Sequence, residues 1–160
     1  MLIARTVLKR GNIFIPIEEW NGTIDDPKYV KGAIILTLDG KIILDESLWD
    51  DVNWFWPYIA NGLPDILEGK DFQTGFPDQP ITFSIKHLND NWLLLHVFSK
   101  DRELIKVKIK KNDYLTEMTR GAIDFMRRIE KIAPGSVSSI DHYMELLRGV
   151  ANKSQNENFG

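Results

Sequence analysis

The sequence contains no cysteine, which excludes a disulfide framework, a thiolate zinc site and a cysteine nucleophile. Long apolar runs are missing as well. The longest stretch without a charged residue is Val52–Pro64, too short to span a bilayer and broken by Asn53, Pro57, Asn61, Gly62 and Pro64. Met1–Arg10 has neither an extended apolar segment nor a small-residue cleavage site, so the expected setting is cytoplasmic. Positive charge is not in excess: 20 Lys and Arg stand against 23 Asp and Glu, for a net charge of −3, which disfavours wholesale nucleic-acid binding. The phosphate-binding loop, the dinucleotide fingerprint, the G-x-S-x-G elbow and the H-E-x-x-H zinc motif are all absent.

What remains is a chain of 160 residues with 43% hydrophobic, 11% aromatic and 27% charged side chains. A chain of this size buries roughly 70% of its unfolded surface, enough for one core without staples. The expected organisation is a single domain over 1–151 and a disordered polar tail over 152–160, where Asn, Gln, Ser and Gly take over.

Hydrophobic periodicity places the elements. Ala33–Leu38 and Lys41–Asp45 flank Asp39-Gly40, a hairpin signal because a type I′ turn needs positive φ at both central positions. Leu2–Leu8 and Ile13–Ile17 read as strands around Gly11-Asn12, with Pro16 marking an edge or a strand end. In the centre, Ile81, Phe83, Ile85 and His87 alternate with polar residues. A turn at Asn89–Asn91 sets Leu93, Leu95 and Val97 opposite them, and a second hairpin sets Ile105, Val107 and Ile109 opposite those. The reverse face of this meander carries Trp92, Leu94, His96 and Phe98 beside Lys86, Lys106, Lys108 and Lys110. Either other elements cover it, or it is an aromatic-and-lysine platform.

Three helices are expected. Leu48, Val52, Phe55, Ile59, Leu63 and Ile66 form one stripe, with Ser47 as its cap and with Pro57 and Pro64 kinking or dividing it, a division restarting the helix near Asn53 so that Pro57 falls in a first turn. Leu115, Met118, Ala122, Phe125, Ile129 and Ile132 form a second, started by Asn112 or Asp113 and ended by Pro134-Gly135. A third runs from Ser138 or Ser139 to near Gly149. Strands joined by tight hairpins, then helices, give the α+β class: a mostly antiparallel sheet with a central meander, one kinked mid-chain helix and two C-terminal helices packed on it.

The chemistry of a catalyst is hard to assemble from these residues. His87 and His96 fall on opposite faces of the hairpin and His142 lies in the first turn of the last helix, so the three do not converge on a metal. Asp25-Asp26, Asp45-Glu46 and Asp50-Asp51 are adjacent, and neighbours on a helix diverge by about 100°. They read as caps and turns, without calcium-loop spacing. No enzyme activity, metal or cofactor is expected. A hydrolase would need a cleft in which His87 or His142 meets a carboxylate.

Charge is unevenly distributed. Between Glu18 and Asp51 nine acids face three lysines, giving −6, whereas between Lys100 and Lys131 ten Lys or Arg face six acids, giving +4. Trp49, Trp54 and Trp56 crowd the acidic helix start, and one stripe cannot bury all three rings with Leu48, Val52 and Phe55. Either the charge division is two differently solvated faces and the rings are core, or aromatic anchors beside carboxylates form a binding surface for a basic protein, with Asp45, Glu46, Trp49, Asp50, Asp51 and Trp54 expected at the contact.

Gly32–Asp65, with LDGKIILDESLWDDVNWFWPYIANGLPD, followed by FPDQP at Phe76–Pro80, resembles the small bacterial immunity proteins carried beside polymorphic toxins. The resemblance implies a single acidic α+β domain without catalytic residues that neutralises a toxin by covering its active site. An acidic patch would suit a nuclease toxin, whose phosphate-binding surface is basic. A different class of reading takes Trp92, His96 and Phe98 with Lys106 and Lys108 as a site for a small ligand or single-stranded nucleic acid.

Overall fold

Asp39 and Gly40 both take positive φ, 50° and 83°, and close the hairpin between β3 (Lys31–Leu38) and β4 (Lys41–Leu44). The computed structural model describes residues 1–159, with side chains as far as Gln155. β1 (Leu2–Arg10) and β2 (Ile13–Pro16) precede this hairpin, and the first sheet has the order β2-β1-β3-β4. β5 (Asp50–Asp51) adds to it by pairing with Lys31 and Gly32. A second sheet holds β6 (Phe72–Gly75), β7 (Thr82–His87), β8 (Trp92–Ser99) and β9 (Arg102–Lys110) in sequential order. All pairings are antiparallel, and the strands divide into two sheets.

The meander has the register read from its alternation. Phe83 faces Val97, Ile85 faces Leu95, and His87 faces Leu93. Val97, Leu95 and Leu93 then face Ile105, Val107 and Ile109, with a bulge beyond Val97. Phe83, Ile85, Leu93, Leu95, Val97 and Ile109 are fully buried, because a one-residue slip would turn the whole apolar set to water.

α1 (Val52–Leu67), α2 (Lys111–Ile132) and α3 (Ile140–Phe159) share one continuous core with the inner faces of both sheets. Two features of α1 differ from expectation. It begins at Val52, next to the restart expected near Asn53 and not at Leu48, because Glu46–Leu48 forms a separate 3-10 turn that Asp45, rather than Ser47, caps by accepting the Ser47 N–H at 2.9 Å. Asp50-Asp51 is drawn into the first sheet instead. Both Pro57 and Pro64 lie inside the helix, and burial of Val52, Phe55, Trp56, Ile59, Leu63 and Ile66 offsets the lost backbone bonds. α2 starts at Lys111 without a side-chain cap.

α3 also overruns the stop expected near Gly149. The segment expected to be a disordered tail is instead helical as far as Phe159, and Val150 and Ser154 are buried; Gly160 lies outside the described residues.

The sheets and helices lock at three points. Trp56 is fully buried, donates from Nε1 to Thr6 Oγ1 at 2.9 Å and stacks on Phe125. β2 covers β1 only from Val7 onward, and α2 completes the uncovered edge: Glu117 accepts the Ala4 N–H at 3.0 Å and Arg120 donates to the Ala4 carbonyl at 2.8 Å. Gly62 of α1 lies against the Phe72 ring, where an added Cβ would come within 2.4 Å of ring carbons. Gly62→Ala should therefore destabilise by about 1–3 kcal/mol in urea denaturation, since the ring must move. At Gly149 of α3 no atom lies within 4 Å of an added Cβ. Gly149→Ala should raise stability by roughly 0.5–1 kcal/mol through helix propensity alone.

Candidate functional site

The β1–β2 turn, the irregular segment 20–30, and the two short segments 47–51 and 78–79 surround a cavity of about 830 Å³. Each wall is fixed by a polar anchor. Asn53, 2% exposed at the start of α1, holds the end of segment 20–30: its Oδ1 accepts the Val30 N–H, and its Nδ2 donates to the carbonyls of Lys28 and Ser136, each at 2.9 Å. Trp54 Nε1 donates to the same Lys28 carbonyl at 2.9 Å. Asp26 closes a turn through Pro27, with its Oδ1 accepting the Lys28 N–H and its carbonyl accepting the Tyr29 N–H.

On the opposite wall Asp50, 3% exposed, acts as a clamp. Its carboxylate accepts the N–H groups of Asp51 at 2.7 Å and of Asp78 and Gln79 at 3.1 Å, and the Gln79 side chain donates to the Trp49 carbonyl. The 77–80 turn is thereby tied to β5.

Four further carboxylates, those of Asp25, Asp26, Asp51 and Asp78, line the cavity. Among the described residues none of them has a salt-bridge partner within 4.0 Å. The cations that share the lining sit over its tryptophan rings. Arg10 lies 4.1 Å over the Trp20 ring and donates to the Asn21 carbonyl, whereas Lys9 lies 4.9 Å from the Trp49 ring and donates to the Gly11 carbonyl at 2.6 Å. Lys31 sits 5.9 Å from the same Trp49 ring. Trp20, Trp49 and Tyr29 supply the aromatic part of the lining, and Tyr29 is more than half exposed.

Asp51 registers the resulting field. Partial burial, and then the negative charges of Asp50 and Asp78, hold its carboxyl above the ordinary value of 3.8, with Lys31 opposing and Asp26 adding to the rise. A raised folded-state pKa favours the protonated form, so this contribution to stability is complete below the ordinary carboxylate range. It is lost as pH rises through the raised value. Asp51→Asn is thus expected to raise the unfolding midpoint at neutral pH, with the gain vanishing in acid. Equal shifts at both pH values would show that Asp51 is not electrostatically strained.

The six residues singled out in the sequence divide. Trp49, Asp50 and Asp51 line the cavity, but Asp50 is consumed by its backbone bonds and serves as scaffold. Asp45 and Glu46 are exposed in the adjoining 3-10 turn and do not line the cavity, while Trp54, 40% exposed, braces Lys28 from beside it. Asp78 and Tyr29 were not singled out, and Asp25-Asp26 read only as a turn. The Asp25-Asp26-Pro27 sequence was the available signal that this segment folds into a fixed acidic turn.

The histidines stay apart, and no group of three or more His, Asp or Glu residues converges on a metal site among the described residues. His87 does meet a carboxylate: Asp71 accepts its backbone N–H at 2.8 Å and lies 3.2 Å from its Nδ1. These bonds, the backbone one foremost, hold the Asp71 carboxyl below its ordinary range, and they tie the start of β6 to the end of β7. No helix of the described residues is long and apolar enough to cross a membrane. No protein-family model, curated protein or solved structure matches the chain.

Proposed function

We propose that the protein is a non-enzymatic, cytoplasmic binding module of the immunity-like inhibitor kind, which receives a basic side chain or loop of a protein partner in the acidic cleft. The observation that carries this reading is the set of Asp25, Asp26, Asp51 and Asp78 around aromatic rings, without ion-pair partners within 4.0 Å among the described residues. Partial burial, and then the charges of Asp50 and Asp78, hold the Asp51 carboxyl above its ordinary value, and an incoming ammonium or guanidinium offsets the charge part of that rise. The Tyr29 ring, more than half exposed, adds a surface on which such a cation can rest. A toxin that binds nucleic acid through basic residues is the concrete partner, and occupying those residues blocks its substrate.

The test is capture of partners by the tagged full chain from its source lysate, at low and high salt, in parallel with a variant carrying Asp25, Asp26, Asp51 and Asp78 all as Asn. Wild type should retain a stoichiometric basic protein at low salt and release it at high salt. The variant should lose it, with an association rate at least about tenfold slower. Replacing the remote exposed Glu130 and Glu145 by Gln should change nothing. Retention of the same partner by the variant would overturn the assignment of the cleft.

A further inference from the structure

The second sheet presents a surface of opposite chemistry, built from none of the cleft residues. The face of β8 that points away from the core carries Trp92, Leu94, His96 and Phe98, each only partly buried, while the intervening Leu93, Leu95 and Val97 are fully enclosed. The helices share the core with the inner face, so the outer face keeps these side chains at the surface. Strand pairing places Lys110 beside Trp92, Lys108 beside Leu94 and Lys106 beside His96, with Lys86 beside Leu94 on the other flank. All four lysines are exposed.

The period-2 geometry of β9 puts Lys106, Lys108 and Lys110 in one row, roughly 7 Å apart, about the length of one extended nucleotide. Lys108 and Lys110 lie 5.2 and 5.9 Å from the Trp92 ring centre, and His96 and Phe98 pair at 4.6 Å. Glu103 is the acid set opposite Phe98; it lies 3.3 Å from His96 Nε2 and 3.9 Å from Lys106 Nζ. At the Trp92 end a cavity of about 240 Å³ opens between that ring and Lys110, Lys111, Asn91 and Asn112.

We propose that this face is a second binding surface and that its ligand is single-stranded nucleic acid. Bases stack on Trp92 and on the Phe98–His96 pair, while the phosphates are taken by Lys106, Lys108 and Lys110. In the free protein Lys108 and Lys110 rest on the Trp92 ring; moving to phosphates, they free its π-face for a base. An acidic peptide would use the lysines but leave the row of rings without a role, whereas a nucleic acid uses both. The chain's negative charge does not oppose the contact locally, because it resides in the segment from Glu18 to Asp51.

The experiment is a fluorescence-anisotropy titration of the full chain into labelled oligothymidylate and oligouridylate, each about ten nucleotides long. Binding is expected at low salt, with log K falling against log salt at about −0.7 per neutralised phosphate. K106Q/K108Q/K110Q should flatten that slope by about 2. Trp92→Ala should weaken binding about fivefold or more and leave the slope unchanged. Circular dichroism and the urea midpoint establish that each variant is folded, and the exposed lysines give a test that does not depend on Trp92. No anisotropy change at low salt would overturn the proposal. So would polyglutamate competing as well as the oligonucleotide, together with wild-type binding by folded Trp92→Ala, since the face would then be only a polyanion surface.

Discussion

Replacing Trp56 by alanine should cost about 3–5 kcal/mol of stability, a large part of what a domain of this size has. The ring is fully enclosed and joins its own helix to two other elements. It stacks on Phe125 of α2 at 6.3 Å and 27°, and an added Cβ on Gly121 would sit 3.0 Å from its edge. Its Nε1–H is spent on the hydroxyl of Thr6 in β1, a residue that is itself buried. Truncation removes the apolar contacts and leaves a cavity, and it also strands the Thr6 hydroxyl without its donor. Trp56→Phe should fall between wild type and Trp56→Ala, because it restores most of the volume and none of the hydrogen bond. Urea denaturation measures all three. A loss below about 1 kcal/mol for Trp56→Ala would mean that α2 closes onto α1 to fill the space.

The second large effect is expected at Asp50. Asp50→Ala leaves the N–H groups of Asp51, Asp78 and Gln79 without their shared acceptor, at a cost on the order of 3 kcal/mol or more. Asp50→Asn keeps the shape but turns an amide donor toward backbone donors, so it should recover only part of the loss. The consequence extends to the cleft. With the clamp gone, residues 77–80 are no longer held against β5, and amide exchange at Asp78 and Gln79 should accelerate far more than exchange in the meander. Loss of the Asp50 charge also lowers the Asp51 carboxyl toward its ordinary value, which a carboxyl-detected titration would follow. Unchanged exchange at Asp78 and Gln79 would show that other contacts hold the turn.

These two residues illustrate what the sequence discloses and what it withholds. Trp56 and Asp50 sit in the same short acidic, tryptophan-rich stretch, and the sequence gives no means of telling core from cleft wall there. The meander was legible because alternation with a period of two allows one register that buries Phe83, Ile85, Leu93, Leu95 and Val97 together. The Asp39-Gly40 turn was legible because few residue pairs accept two positive φ angles.

The short strand before α1 was not, since Asp50-Asp51 has no strand propensity and becomes β5 only through Lys31 and Gly32. The cleft escaped for a related reason. Asp25 and Asp26, Asp51, and Asp78 come from three separate segments, brought together by the Asn53 and Asp50 anchors. Side-chain-to-backbone bonds of this kind leave no periodic trace. The reverse face of the meander was visible as a row of residues, but its exposure depended on which side the helices would choose.

The contact of Glu117 and Arg120 with Ala4 bears on how the molecule behaves in company. A strand whose amides and carbonyls lie bare is a template on which another chain can add, and β1 would offer such a template along the part that β2 leaves uncovered. Occupation of the Ala4 N–H and carbonyl by an arginine–glutamate pair interrupts that template in its middle. A second copy adding a strand along this part of β1 would first have to displace that pair. Arg120→Ala and Glu117→Ala variants, whatever they do to the stability of the isolated chain, would reopen that route.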